Sequence, residues 1–242
     1  MANFPTQPAD VTAEWLTDRL RETAAIGDAM VSKVDWEPIG TGQVGDSARF
    51  HLTYDLPCAG PSTVAGKFPA ADQASRGTAA AFGLYAKEVG FYRQLAPQLD
   101  IRVPGVIAAE LAPDGVEFVL IFEDLGPCRG GNQLDSCSLA DARQAMVQAA
   151  GLHAPSWNKA AITGLDWLQP RPGQVDQIKA LYGNAQAIFR ERYADLLEPE
   201  FMAMCDELNE GRDAWFGQER GTKCLIHGDF RLDNMLFDVQ GG

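Results

Sequence analysis

The chain lacks what a membrane protein, a nucleic-acid binder or a disulfide-framed domain would need. No run of about 18 apolar residues occurs, so no helical membrane span is expected. The start, Met1-Ala2-Asn3-Phe4-Pro5, has no basic region leading into an apolar stretch, so no signal peptide is expected and the protein reads as cytoplasmic. Positive charge is in the minority: 20 Lys and Arg face 33 Asp and Glu, a net charge of −13. Such a net charge repels phosphate backbones and anionic bilayers, which argues against nucleic acid and membrane as partners and is compatible with a neutral or cationic substrate. The five cysteines, Cys58, Cys128, Cys137, Cys205 and Cys224, are odd in number and widely spaced, and no Cys-x-x-Cys occurs. That fits reduced thiols rather than disulfides or a zinc site. Internal repeats and low-complexity segments are also missing.

What is present suits a soluble globular protein: 242 residues, 46% hydrophobic and 22% charged. That length supports one large domain or two lobes with a substantial core. Thr12 or Asp10 can cap a first helix carrying Trp15, Leu16 and Leu20 and ending near Gly27. Val31–Ile39 reads as a strand. Gly40-Thr41-Gly42-Gln43-Val44-Gly45 comes next, a Gly-x-Gly-x-x-Gly. A dinucleotide-binding loop must open into a helix. Here Ala48, Phe50, Leu52 and Tyr54 alternate with polar residues, which is a strand pattern. The glycines therefore sit in a strand–loop–strand hairpin, where backbone N–H groups can approach phosphates. An NAD-dependent enzyme is disfavoured on this ground.

Ser62–Phe68 is the next strand and contains Val64-Ala65-Gly66-Lys67, with Ala65 and Lys67 on one face. A helix is expected over Thr78–Leu95, with Ala81, Leu84, Tyr85, Phe91, Tyr92 and Leu95 as its apolar face. Glu88 falls on that face. A carboxylate there needs a cation, and Lys67 is the natural one; otherwise Glu88 lies at the stripe's edge and reaches water. Val103–Glu110 and Val116–Phe122 are two strands joined by Pro113-Asp114-Gly115. The second runs into Glu123-Asp124-Leu125-Gly126-Pro127. Ser138-Leu139-Ala140-Asp141 resembles a capping box opening a helix to about Leu152, with Ala142, Met146 and Ala149 on one face. His153 reads as a core or capping group, and Trp157, Trp167 and Leu168 are expected to bury against this helix. Val175–Leu196 and Glu200–Phe216 read as two further helices, with Pro199 tolerated in a first turn.

The stretch Leu225–Phe237 organises the rest. Apolar runs Cys224–Ile226 and Met235–Phe237, read as strands, flank a polar loop in which His227, Asp229 and Asn234 form His-x-Asp-x-x-x-x-Asn. Phosphoryl transfer to a hydroxyl needs a carboxylate to take the proton and an oxygen ligand to help hold Mg²⁺. Asp229 suits the first role and Asn234 the second, with His227 bracing the loop through its backbone. Alone, the pattern is also what two turn-capping residues give; the ordered parts upstream are what make it specific.

This loop, His227–Phe237, resembles the catalytic loop of the aminoglycoside phosphotransferase and choline kinase-like family, nearest the ecdysteroid kinase-like (CHK kinase-like) branch. With the glycine hairpin, the Val-Ala-x-Lys-like strand and the helix glutamate upstream, the resemblance covers nearly the whole chain from about Ile39. It implies an α+β, two-lobed protein kinase-like fold: an antiparallel-sheet ATP-binding lobe (1–122), a hinge (123–127) and a mainly helical lobe (128–242). It implies ATP and Mg²⁺, with Gly40, Gly42, Gly45, Lys67 and Glu88 at the phosphates and Ala65, Glu123 and Leu125 around the adenine. His227-Gly228-Asp229 matches the small-molecule kinases, where protein kinases usually carry Arg after His, so a small-molecule hydroxyl is the expected acceptor. Arg231 either steadies charge on the γ-phosphate or forms an outward salt bridge with Asp233. The family also uses a second metal-binding aspartate on a later strand. Asp238 comes too early for it, so a C-terminally truncated piece of a longer protein is expected. The rival expectation is a pseudokinase that binds nucleotide without catalysis.

Overall fold

The computed structural model describes residues 2–40, 44–218 and 221–239, so Gly42 of the glycine loop lies outside the described residues. Five antiparallel strands form one sheet: β1 (Val31–Ile39), β2 (Gly45–Tyr54), β3 (Thr63–Pro69), β4 (Val106–Leu111) and β5 (Phe118–Glu123), in the order β1-β2-β3-β5-β4. The alternation read from the sequence sets its two faces. On one face Ala48, Phe50, Leu52, Val64, Phe68 and Ile121 are buried against Leu16 and Leu20 of α1 (Ala13–Glu22). Thr12 Oγ1 accepts the Trp15 N–H at 3.1 Å and caps that helix. α1 ends at Glu22 rather than at Gly27, because Ala24 already takes a left-handed φ of 56° and the Ala25 N–H closes back onto the Leu20 carbonyl at 3.1 Å.

The other face buries Phe118, Leu120 and Phe122 beneath Ala79, Tyr85 and Val89. The single helix expected there is two: α2 (Gln73–Phe82) and α3 (Leu84–Gly90), followed by a π-helical turn, Phe91–Leu95. Gly83 makes the break at φ +64°. A Cβ there would lie 2.9 Å from Arg171 Nη2, and Arg171 Nη1 donates at 2.9 Å to the Ala80 carbonyl, which also accepts the Gly83 N–H at 3.1 Å.

The second half is helical: α4 (Leu139–Ser156), α5 (Ala160–Thr163), α6 (Gln174–Tyr193), α7 (Pro199–Glu210) and α8 (Arg212–Gly217). Ser138 Oγ accepts the Asp141 N–H at 3.1 Å, as the capping pattern expects. α4 buries Ala145, Leu152 and Ser156, while Met146 is 59% exposed. Close contact with the first half selects the face: Gly151 lies so near Asp100 that a Cβ would meet the Asp100 carbonyl at 2.6 Å. Trp157 is 59% exposed rather than buried, whereas Trp167 packs on Gly90 and donates its indole N–H to Gln94 Oε1 at 3.0 Å. The helix expected over Glu200–Phe216 divides at Gly211 into α7 and α8.

A third apolar core of Leu95, Leu152, Ile162 and Leu225 joins the sheet half to the helical half. Leu225 stands just before His227, so the same core seats the polar loop. Among the described residues no helix is long and apolar enough to cross a membrane.

Candidate active site

Lys67 lies on β3, paired with Ser47 of β2 and Leu120 of β5. It shares a face with Ala65, and that face looks toward α3 rather than α1. On α3, buried Tyr85 and Val89 turn one side of the helix to the sheet, which brings Glu88 over the strand. Lys67 Nζ donates to Glu88 Oε1 at 2.6 Å and to Oε2 at 2.9 Å, with the two side chains 30% and 28% exposed. Glu88 therefore pairs with Lys67 and does not snorkel to water. Behind it, burial pushes the Tyr92 phenol well above its usual range, and the Glu88 charge pushes the same way, so Tyr92 stays neutral beside the carboxylate. The glycine hairpin reaches the same lysine: a Cβ on Gly45 would sit 3.2 Å from Lys67 Cε and 3.0 Å from the Phe68 carbonyl. Only a residue without a side chain leaves the lysine stem its path there.

Past β5, both carboxylates of the 123–127 segment are held. Glu123 Oε1 accepts the Gly105 N–H at 2.9 Å and Arg102 Nη1 at 2.6 Å. Burial pushes this carboxyl up, but the Gly105 N–H and Arg102 together leave it below its usual range. Asp124, with a side chain 8% exposed, accepts from Arg49 Nε at 2.6 Å and from the Gly126 N–H at 3.1 Å. The Arg49 bond, opposed by burial and aided by Gly126 and Thr63, holds its carboxyl low. Leu125 is half-buried between these anchors and Gly126. With both side chains committed to arginines, what this segment leaves for a ligand is backbone.

The Asp124 pair makes stability depend on pH in a definite direction. A depressed folded-state pKa stabilises above the unfolded carboxylate value of about 3.9 and loses that contribution as pH falls through the lower folded value. Asp124→Asn is thus expected to lower unfolding free energy by about 1.5–3 kcal/mol at pH 7, the usual size for a hydrogen bond to a charged group. The gap from the parent chain should shrink below about pH 4. Urea melts at pH 7 and pH 3 test this; an equal gap at both would refute it.

In the polar loop, Cys224–Ile226 is not a strand, contrary to expectation. Its backbone is taken up instead by the C-terminal end of α4 and the turn beyond: the Leu225 N–H donates to Ser156 Oγ at 2.9 Å, and the Lys223 carbonyl accepts from the Asn158 N–H at 2.7 Å. His227 Nδ1 accepts the Asp229 N–H at 3.2 Å, so the imidazole braces the loop through its backbone. Asn234 Nδ2 donates to the Asp229 carbonyl at 2.9 Å and to Asp229 Oδ2 at 2.8 Å. The amide nitrogen is spent on the carboxylate, and the amide oxygen is the atom of Asn234 suited to a hard cation. Arg231 Nε lies 3.0 Å from Asp229 Oδ1 and its Nη1 3.4 Å from Asp233 Oδ2, so the arginine bridges both acids. The Asp229 side chain is nonetheless 60% exposed, accessible to a reacting hydroxyl.

Only the second flank pairs: β7 (Leu236–Phe237) runs antiparallel to a short strand β6 (Arg129–Gly130). No sequence signal marks β6. A two-residue strand among glycines has no periodicity to reveal it. Among the described residues no three His, Cys, Asp or Glu side chains gather as a metal site. A metal here would rely on Asn234 and on oxygens from a phosphate ligand. An open cavity of about 470 Å³ lies elsewhere, between Gln7–Ala9, Trp36 and Arg76 at the base of the glycine hairpin, and includes neither Lys67 nor Asp229.

Comparison with known proteins gives two findings. The model of a family described as the phosphotransferase enzyme family (APH) matches residues 74–242. A solved structure similar to the chain is the GDP complex of a mutant of aminoglycoside 2'-phosphotransferase-IIIa; it is 14% identical, the match covers 91% of this chain and 70% of that one, and the TM-score is 0.46. No curated protein matches.

Proposed function

Because the chain belongs to the phosphotransferase enzyme family, whose model spans well over half of it, we propose that it moves the γ-phosphoryl group of ATP to a hydroxyl of a small molecule. The choline kinase-like, ecdysteroid kinase-like branch is the proposed placement. The observation that carries the reading is the two-pronged Lys67–Glu88 pair, with Gly45 pressed against the lysine stem. It couples a cation of fixed position to the glycine at the head of β2, the kind of equipment that phosphate oxygens require.

In this reading the Gly40–Gly45 backbone and Lys67 hold the phosphates, with Glu88 fixing the ammonium. The hinge backbone at Glu123–Leu125 meets the adenine beside Ala65. Asp229 orients the acceptor hydroxyl and takes its proton as the oxygen attacks phosphorus and ADP leaves. Arg231, already drawn toward Asp229, is the cation that would steady charge on the transferred group. The residue suited to Mg²⁺ is Asn234, through Oδ1; the ion would neutralise phosphate charge there. The chain's acidity supports a neutral or cationic acceptor and disfavours nucleic acid and anionic membranes as partners.

The test is thermal stabilisation by Mg·ATP together with ADP release across a panel of amino alcohols, aminoglycosides and steroid-like alcohols. Stabilisation with acceptor-dependent ADP release is expected. Stabilisation with no ATP consumption would favour a nucleotide-binding pseudokinase, and neither response would remove the kinase reading.

A further inference from the structure

We propose that Arg129 is a positioning residue that pins the exit of the loop His227–Asn234 to the segment just past the hinge, an inference that rests on the phosphotransferase reading above. The chain leaving the hinge runs antiparallel along that exit. Arg129 and Gly130 pair with Phe237 and Leu236, the Gly131 N–H donates to the Met235 carbonyl at 3.0 Å, and the Gln133 N–H donates to Asp233 Oδ1 at 2.9 Å. The approach is so close that a Cβ on Gly131 would fall 2.2 Å from the Leu232 carbonyl. Asn234 is held between Asp233 and Met235, both of which this segment grips, and Asn234 in turn holds Asp229.

Two strands of two residues each do not sustain themselves in water. Arg129 supplies what the pairing lacks. Its Nε donates to Asp238 Oδ2 at 3.0 Å, and its Nη2 to both oxygens of Asp141 at 3.2 and 3.3 Å. Its guanidinium carbon lies 4.8 Å from the centre of the Phe237 ring. One planar cation thus ties the end of β7 to the first turn of α4 while stacking on β7 itself. A lysine, with a single compact ammonium, cannot make all three contacts. The same contacts occupy Asp238, whose carboxylate serves as the anchor of the pin.

The consequence falls on geometry at Asp229 and Asn234 and leaves the Lys67–Glu88 half alone. Small displacements of reacting groups reduce turnover steeply, about 10²-fold for 1 Å. Arg129→Ala is therefore expected to lower kcat by about 10–100-fold, with KM for ATP within about threefold, and to speed amide exchange across Met235–Asp238 and at Gly131. Arg129→Lys should restore only part of kcat, and Asp238→Asn should reproduce part of the loss. Unchanged exchange in Arg129→Ala overturns the proposal. So does a fall in kcat matched by an equal fall in ATP affinity and in melting temperature, which would mark a general structural role. If the parent chain releases no ADP with any acceptor, the phosphotransferase reading fails by itself, and the exchange pattern still decides whether Arg129 pins the loop.

Discussion

Asp229→Asn is expected to reduce phosphoryl transfer by about 10²–10⁴-fold, the range that a positioned general base contributes, while Mg·ATP binding stays near that of the parent chain. The substitution is isosteric, and the loop's frame does not depend on the carboxylate charge. The His227 brace uses the Asp229 N–H, and one Asn234 bond uses its carbonyl, and both survive. What disappears is the second oxygen capable of accepting a proton and the negative charge facing Arg231 Nε at 3.0 Å. Arg231 keeps Asp233 as a partner, so the loop retains one of its two ion pairs. The residues proposed to bind nucleotide lie on the glycine hairpin, β3, α3 and the 123–127 segment and are untouched. Steady-state ADP release and an ATP-binding titration on the same preparations separate the two quantities. Turnover within about threefold of the parent, against the 10²-fold minimum for a general base, would remove Asp229 from the chemistry.

Lys67→Ala is expected to cost about 10²–10³-fold in kcat/KM for ATP, the loss seen when one preorganised donor to developing charge is deleted. The lysine is preorganised here by its two bonds to Glu88 and by Gly45 alongside its stem. Removing it also leaves Glu88, a partly buried carboxylate, without its cation and beside Tyr92, whose phenol already titrates high. That second effect is separable. Glu88→Gln leaves the ammonium in place but unfixed, so it should lose less than Lys67→Ala. The combined variant should lose no more than Lys67→Ala alone, because the two groups act as one unit. Additive losses in that cycle would show that the pair does not operate jointly at the phosphates.

The site was legible in unequal parts. The Lys67–Glu88 pair could be read because strand and helix periods are local rules: a lysine on the α3 face of β3 and a carboxylate in the apolar stripe of a helix leave each other as the obvious partners. The His227 brace followed from loop chemistry alone. For Arg231, a γ-phosphate contact and an outward bridge with Asp233 were both open; the folded chain forms the Asp233 bridge and adds one to Asp229, which was not foreseen. Arg49 and Arg102, which hold Asp124 and Glu123, and the proposed Arg129 pin went unread. Each joins residues far apart in sequence, and no local pattern distinguishes an arginine that meets a distant carboxylate from one that faces water.

The same division holds for the fold. The residue order itself determined the five strands of the large sheet, the capping at Thr12 and Ser138 and the residue types available for phosphoryl chemistry, because alternation, capping and turn preference act over a few neighbouring residues. Tertiary contact alone decided where helices break and which faces bury. Gly83 ends α2 where Arg171 donates to the Ala80 carbonyl, α4 turns Ala145 and Leu152 inward because Gly151 meets Asp100, and Trp157 stays exposed while Trp167 packs on Gly90. Helix propensity along these stretches differs by about 1 kcal/mol or less per residue, whereas burying one large apolar side chain is worth about 1.5–3 kcal/mol. Long-range packing therefore overrules the local signal wherever the two disagree.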